Sequence, residues 1–262
     1  MKKTLQGKRI LVTRPAAQAG KLAEMIGDLG GDPIRFPLLE IGPADDTLPL
    51  QRAVAQLDDY ALAIFISPNA VIFSVPLILS RRPWPATLQA AAIGQSTVAQ
   101  LAACGIGRVV APTERYDSEA LLDLPVFQAE RVAGKKLLIL RGNGGRELLA
   151  DTLRERGAEV EAVTCYHRSA PVDGALVVSL LRDERLDALT ISSSEGLRNL
   201  LALLDTDGRK HLCTLPVFVP HQRIAAMAAE LGLKKVVLTG PADAGIIKSL
   251  NEFDWLHHER HC

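Results

Sequence analysis

Residues able to do chemistry gather where short apolar runs of this 262-residue chain end. Arg14 follows Leu11-Val12-Thr13, and Arg141 follows Leu138-Ile139-Leu140. A guanidinium fork in such a place matches a carboxylate or phosphate. Ser67-Pro68-Asn69 and Ser193-Ser194-Glu195 end two further runs. Their hydroxyls can cap the helix that follows, while the first free N–H groups face outward. Helix starts of this kind favour anionic ligands. Gly94-Gln95-Ser96-Thr97 and Arg141-Gly142-Asn143-Gly144-Gly145 form similar turns, and their glycines allow a ligand close to the backbone. Taken singly, each is most simply a cap or a turn. Arranged around one cleft, they point to a carboxylate- or phosphate-bearing ligand.

Other chemistries find little support. The glycines lack the G-x-G-x-x-G spacing and no Walker lysine is present, so NAD and ATP are not indicated. No Ser/His/Asp triad order or zinc-helix motif is visible. His167 and His221 stand alone and read as surface or hinge residues, and His257, His258, His261 and Cys262 read as a solvated tail rather than a metal site. Cys104, Cys165, Cys213 and Cys262 form no Cys-x-x-Cys pair, which fits reduced thiols. Thirty basic residues balance thirty acidic ones, so bulk charge indicates neither nucleic acid nor an anionic membrane. The N-terminal residues lack an apolar signal core, and no segment approaches the roughly 18 apolar residues of a membrane span. A soluble, cytoplasmic protein is expected.

The elements that must position these residues recur. Gly7 to Arg14, with the helical stretch closing at Leu29-Gly30-Gly31, is matched half a chain later by Gly134 to Arg141 and a stretch closing at Arg156-Gly157-Ala158. The repeat continues. Asp59 to Ala70 resembles Asp187 to Gly196, Ala92 to Val110 resembles Phe218 to Val237, and the turn at Asp117 resembles that at Asp243. Such self-similarity implies two similar α/β units, with a ligand expected between them. Apolar runs of strand length each precede an amphipathic helical stretch, the pattern of doubly wound parallel sheets covered on both faces. The segments least like this pattern are Arg35 to Glu40 and Thr164 to Ser169.

Val12-Thr13-Arg14-Pro15, Ile66-Ser67-Pro68-Asn69-Ala70-Val71, Ala92-Ile93-Gly94-Gln95-Ser96-Thr97, Arg141-Gly142 and Cys165-Tyr166-His167-Arg168 occur here in one order. Together they resemble the uroporphyrinogen-III synthase family over nearly the whole chain. The resemblance implies two α/β domains joined by two extended crossing segments. One would comprise 1–35 with 170–262 and the other the inserted 40–163, with 36–39 and 164–169 as the connections. It implies cyclisation of the linear tetrapyrrole hydroxymethylbilane to uroporphyrinogen III in the interdomain cleft, with loss of water, inversion of ring D and no cofactor. It also implies a monomer that could take its substrate from the upstream deaminase.

On this resemblance Tyr166 matches the family's tyrosine and is expected to assist departure of the hydroxyl. Ser67, Thr97, Ser193 and Ser194 are expected to donate to substrate carboxylates, with Asn69, Gly94 and Gly142 shaping the turns and Arg14 and Arg141 pairing with acetate or propionate arms. At Pro220-His221-Gln222-Arg223 the chain departs from relatives that have glycine and hydroxyl residues, so Arg223 meeting a carboxylate is an expectation specific to this sequence. The alternative from another class is a cytoplasmic two-domain module that binds a small polycarboxylate. A phosphoryl- or glycosyl-transferring enzyme should carry an acidic pair at a strand end, where this chain has Arg, Ser and Gly.

Overall fold

A computed structural model describes residues 3–145 and 147–255. His257, His258, His261 and Cys262 therefore lie outside the described residues. In chain order the first elements are β1 (Arg9–Val12), α1 (Ala16–Asp28), β2 (Asp32–Arg35), β3 (Glu40–Pro43), α2 (Leu48–Ala55), β4 (Leu62–Phe65) and α3 (Pro68–Arg81). Next come β5 (Gln89–Ala92), α4 (Gln95–Ala103), β6 (Val109–Val110), α5 (Ser118–Leu122), α6 (Ala129–Val132), β7 (Lys136–Gly142), α7 (Leu148–Glu155) and β8 (Glu159–Ser169). The last are α8 (Ala175–Arg182), β9 (Ala188–Thr190), α9 (Ser194–Leu203), α10 (Thr206–Leu212), β10 (Val217–Val219), α11 (Gln222–Glu230), β11 (Val236–Leu238) and α12 (Ala242–Glu252).

These elements form two compact units: unit 1 holds Met1–Glu40 with Ser169–Cys262, and unit 2 holds Ile41–Arg168. Unit 1 has a five-stranded sheet in the order β11-β10-β9-β1-β2, and the other sheet has six strands in the order β3-β8-β7-β4-β5-β6. Set side by side, β9, β10, β11, β1 and β2 correspond to β4, β5, β6, β7 and β8, so the spatial order is the same. Each sheet therefore combines strands from both halves of the sequence repeat.

The expected doubly wound α/β architecture follows from alternation within each strand. In β4, Ala63 and Phe65 enter one core, whereas Leu62 and Ile64 enter another on the opposite face. In β1, Leu11 faces one side, and Ile10 and Val12 the other. Strands buried on both faces need apolar residues at every position, and the central strands are parallel, as such burial favours.

The two irregular segments turn out differently. In unit 1 the ladder runs past β2, with Phe36 N–H donating to Val12 O and Leu38 N–H to Thr13 O at 3.0 and 3.2 Å. In unit 2, residues 164–169, expected as a bare connection, are the end of the eleven-residue strand β8. Pairing runs from Arg141↔Thr164 to Gly142↔Tyr166, so Cys165 is the extra residue of a β-bulge. Composition gives no sign of this, because the pairing partner lies far back in the chain.

Candidate active site

Parallel strands bring their carboxyl ends to one edge of a sheet, and α/β proteins bind ligands at that edge where the strand order reverses. In unit 2 the reversal lies between β4 and β7, and in unit 1 between β9 and β1. Ser67 and Gly142 follow or end the first pair, whereas Ser193, Ser194 and Arg14 follow the second. Gly94 and Thr97 lie one strand further out after β5, and Arg223 one strand further out after β10.

In unit 2 three of the expected residues meet. Ser67 has extended φ and ψ and caps α3, its Oγ accepting from Ala70 N–H at 3.3 Å. The same Oγ lies 3.0 Å from the Tyr166 hydroxyl. Tyr166 is 5% exposed, and its ring stacks on Phe73 with centroids 6.0 Å apart. Its phenol passes so close to Gly142 that a Cβ there would lie 2.6 Å from Cζ and 2.9 Å from the hydroxyl oxygen. Gly142 is thus required by contact with Tyr166 rather than by a special φ.

The bulge explains how Tyr166 arrives there. Successive strand residues normally face opposite sides, yet Val163, Cys165 and Tyr166 all join the same core. The extra residue turns Tyr166 onto the face where α3 and Ser67 wait. Cys165 Sγ sits 3.3 Å from Arg141 O, and burial pushes its thiol pKa up to about 12, so it is an inert packing group.

The remaining residues of unit 2 are more passive. Asn69 is half-buried in the first turn of α3. Gly94 is the N-cap of α4 with an ordinary negative φ, and the nearest atom to a Cβ there would be Tyr116 Cβ at 3.9 Å. Thr97 is 2% exposed on the inner side of α4, whereas Gln95 and Ser96 are exposed. Arg141 folds back on its own loop, donating to Gly144 O at 2.7 Å and pairing with Glu147 at 2.8 Å. That loop turns through Gly144 and Gly145 at φ of 66° and 105°, which side-chain-bearing residues rarely adopt.

Unit 1 repeats the cap without the tyrosine. Ser193 has extended φ and ψ and accepts from Gly196 N–H at 2.9 Å. Ser194 is buried beside it, and its Oγ has no hydrogen-bond partner among the described residues. Asn199 in the same helix donates to Leu38 O at 2.9 Å and ties α9 to the chain leaving β2. Arg14 is mostly buried and paired with Asp243 in the first turn of α12. Arg223 is exposed in the first turn of α11, after His221 at the N-cap.

Sequence reasoning missed Asn143 and Asp243 as partners of these groups. Asn143 accepts from Arg168 N–H at 2.6 Å and donates to Arg168 O at 3.0 Å. Among the described residues no group of three or more His, Cys, Asp or Glu could hold a metal ion. No described helix is long and apolar enough to cross a membrane.

Comparison with known proteins adds a second line of argument. A family model described as "Uroporphyrinogen-III synthase HemD" matches residues 20–248. The uroporphyrinogen-III synthase of Escherichia coli K12 is 36% identical over 237 residues, covering 89% of this chain and 96% of its own. That of Synechococcus elongatus is 35% identical over 208 residues, covering 76% of each. Among solved structures, a mutant uroporphyrinogen III synthase from Thermus thermophilus aligns over 97% of this chain and all of its own with a TM-score of 0.65. The Helicobacter pylori uroporphyrinogen-III synthetase aligns over 92% of this chain and 97% of its own with a TM-score of 0.56. Both structures are 15% identical to this chain and speak for the fold alone.

Proposed function

The chain belongs to the uroporphyrinogen-III synthase family, and from that premise we propose that it closes hydroxymethylbilane to uroporphyrinogen III with loss of water and inversion of ring D. At the level of residues, the observation that carries this reading is the Tyr166 phenol, oriented by Ser67 at a strand-order reversal.

Ser67 Oγ already accepts the Ala70 N–H, and its own proton can be directed to the phenol oxygen. Tyr166 is then free to donate outward, to the terminal hydroxyl of the bilane, as the C–O bond breaks and water leaves. The azafulvene that remains is attacked by the last ring through its substituted carbon, and the spiro intermediate fragments and recloses with the ring inverted. The proton lost as that ring regains aromaticity balances the one given to the leaving hydroxyl. No carbon is oxidised or reduced overall, so the closure draws on no redox cofactor.

The larger task is geometric. Without restraint the bilane closes at its free carbon to the uninverted isomer, so the chain must hold the carboxylate arms while the ring turns. The groups suited to this are Ser193, exposed Arg223 and the helix starts at Asn69 and Gly94, whereas Thr97 and the Ser194 hydroxyl, expected as carboxylate donors, are buried and would have to be uncovered to serve. Arg14 and Arg141 already hold internal carboxylates, and in this reading they contribute positive charge near the strand ends. The reading includes a cytoplasmic monomer that receives its unstable substrate from the upstream deaminase.

The test is incubation with hydroxymethylbilane made freshly by the deaminase, followed by oxidation and separation of the type I and type III isomers. A dominant type III product without added metal or nucleotide is expected, with kcat lowered in Tyr166→Phe. Type I alone, at the spontaneous rate, would overturn the synthase reading.

A further inference from the structure

The end of β8 is held by a side chain. β7 ends at Gly142, and on that side its pairing with β8 stops at Tyr166. The Asn143 amide takes over from there, its Oδ1 accepting from Arg168 N–H at 2.6 Å and its Nδ2 donating to Arg168 O at 3.0 Å. A carboxamide carries the same donor and acceptor as a peptide unit, and here it serves as one more rung of the sheet. Two further bonds close the arrangement: Asn143 N–H donates to Tyr166 O at 3.1 Å, and Arg168 Nη2 donates to Asn143 O at 3.3 Å.

These four bonds bracket the residue that does the chemistry. On the near side of Tyr166 is the bulge at Cys165, where the register with β7 shifts by one residue. On the far side the chain leaves unit 2 after Arg168. Between them, the Tyr166 ring lies against Gly142, the neighbour of Asn143. A shift of the strand end moves the phenol relative to both Gly142 and Ser67.

We infer that Asn143 is a positioning residue for the reaction: it sets where the Tyr166 hydroxyl stands by pinning the strand end, and touches no substrate itself. The inference rests on the synthase reading and on the role given there to Tyr166.

The test uses the full chain with ζ-13C-labelled tyrosine. There are three tyrosines, Tyr60, Tyr116 and Tyr166, and Tyr166→Phe assigns the signal of interest. In Asn143→Ala the Tyr166 resonance should shift or broaden while those of Tyr60 and Tyr116 stay in place. Kinetically, Asn143→Ala should lower kcat about tenfold with KM changed less than about twofold, as expected for a misplaced catalytic group. In a Tyr166→Phe background the same substitution should cost less than about twofold, because residues acting through one another are not additive. An unmoved Tyr166 signal, or an equal loss in both backgrounds, overturns the inference. Asn143→Asp keeps the acceptor for Arg168 N–H and loses the donor, so an intermediate effect is expected, and it carries both measurements if the alanine variant does not fold. The spectrum of the free protein does not depend on the reaction. Failure of the synthase reading would appear separately, as type I product from the unsubstituted chain.

Discussion

The two units share a strand order yet differ at one edge. In unit 1 the sheet ends at β2, a strand of four residues, whereas in unit 2 the corresponding β8 has eleven residues and carries β3 beyond it. The shared part supplies a pair of capped helix starts, Ser67 on α3 and Ser193 on α9. The part that departs from symmetry supplies the bulge, the Asn143 clamp and Tyr166. The repeat thus builds a frame of anion-friendly helix ends twice, and the tyrosine for which we propose the reacting role stands where one copy has outgrown the other.

The arginines tell the same story. Arg14 draws on Asp243, far away in sequence, whereas Arg141 is satisfied within its own loop by Glu147 and Gly144. Asp117, the sequence counterpart of Asp243, caps α5 by accepting from Ala120 N–H at 2.7 Å. Equivalent aspartates have been given unequal work.

The largest expected effect separates the two strand ends directly. Gly142→Ala would force a Cβ to 2.6 Å from the Tyr166 ring. A loss of about 1–3 kcal/mol in urea unfolding is expected, with kcat falling about 100-fold, the scale of a reacting group displaced by about 1 Å. The counterpart in unit 1 is Pro15, which already carries a Cβ. Normal kcat in Gly142→Ala would break the proposal that the Tyr166 phenol takes part in the reaction.

Next come the ion pairs. Asp243→Ala leaves the Arg14 guanidinium, whose side chain is 16% exposed, without its carboxylate, and a loss of about 2–3 kcal/mol is expected. Glu147→Ala removes a carboxylate that is 56% exposed, and should cost less than about 1 kcal/mol in the same denaturation experiment. Equal losses would erase the contrast.

The two caps sharpen the comparison further. Ser67→Ala and Ser193→Ala should each cost about 1 kcal/mol through an unsatisfied helix N–H. Only the first should also move the Tyr166 resonance, since only Ser67 lies against the phenol. A Tyr166 signal unaffected by Ser67→Ala would remove the orienting role from that serine.

The gentlest test is pH. Burial raises the Cys165 thiol from 9.0 to about 12, and burial together with the Glu161 carboxylate raises the Tyr60 phenol. Both groups belong to unit 2. A raised pKa means that the folded chain keeps a proton the unfolded chain releases, so the stability is fully present below pH 9.0 and fades as pH climbs toward about 12. The two tryptophans divide between the units, Trp84 packing near Phe65 and Trp255 against Phe253. Emission from Trp84 should therefore report loss of structure at lower alkaline pH than emission from Trp255, as single-tryptophan variants would show. Simultaneous loss would mean that the units unfold as one.

Much of the frame was legible in the sequence, because it is written in local periodicity. The alternating apolar runs gave the doubly wound class, and Ser67 and Ser193 stand immediately before apolar helices in the ordinary way of caps. What could not be read depends on register between distant strands. Nothing near Cys165 announces a bulge, since an extra residue is extra only relative to β7. Gly142 could be seen as a turn glycine, but its contact with Tyr166 needs both strands in place. Arg14 looked available for an anion because its partner lies at Asp243, at the far end of the chain. Asn143 looked like one more polar residue in a glycine-rich loop.

The mixing of repeat halves between the sheets also governs the order in which the molecule can be made. β1 and β2 leave the ribosome well before β9, yet β1 has to pair with β9 on its other side, and Ile10, Leu11 and Val12 are wholly buried in the completed sheet. Unit 2 is complete by Arg168 and can close while the rest is still being translated. At about 5–20 residues per second, the opening strands wait on the order of 10–40 s for β9 to β11. During that interval the apolar edge of β1 is unsheltered. Chaperone holding of the nascent β1–β2 stretch, or slow codons after the end of β8, would act on a part of the chain whose sheet partners are made much later.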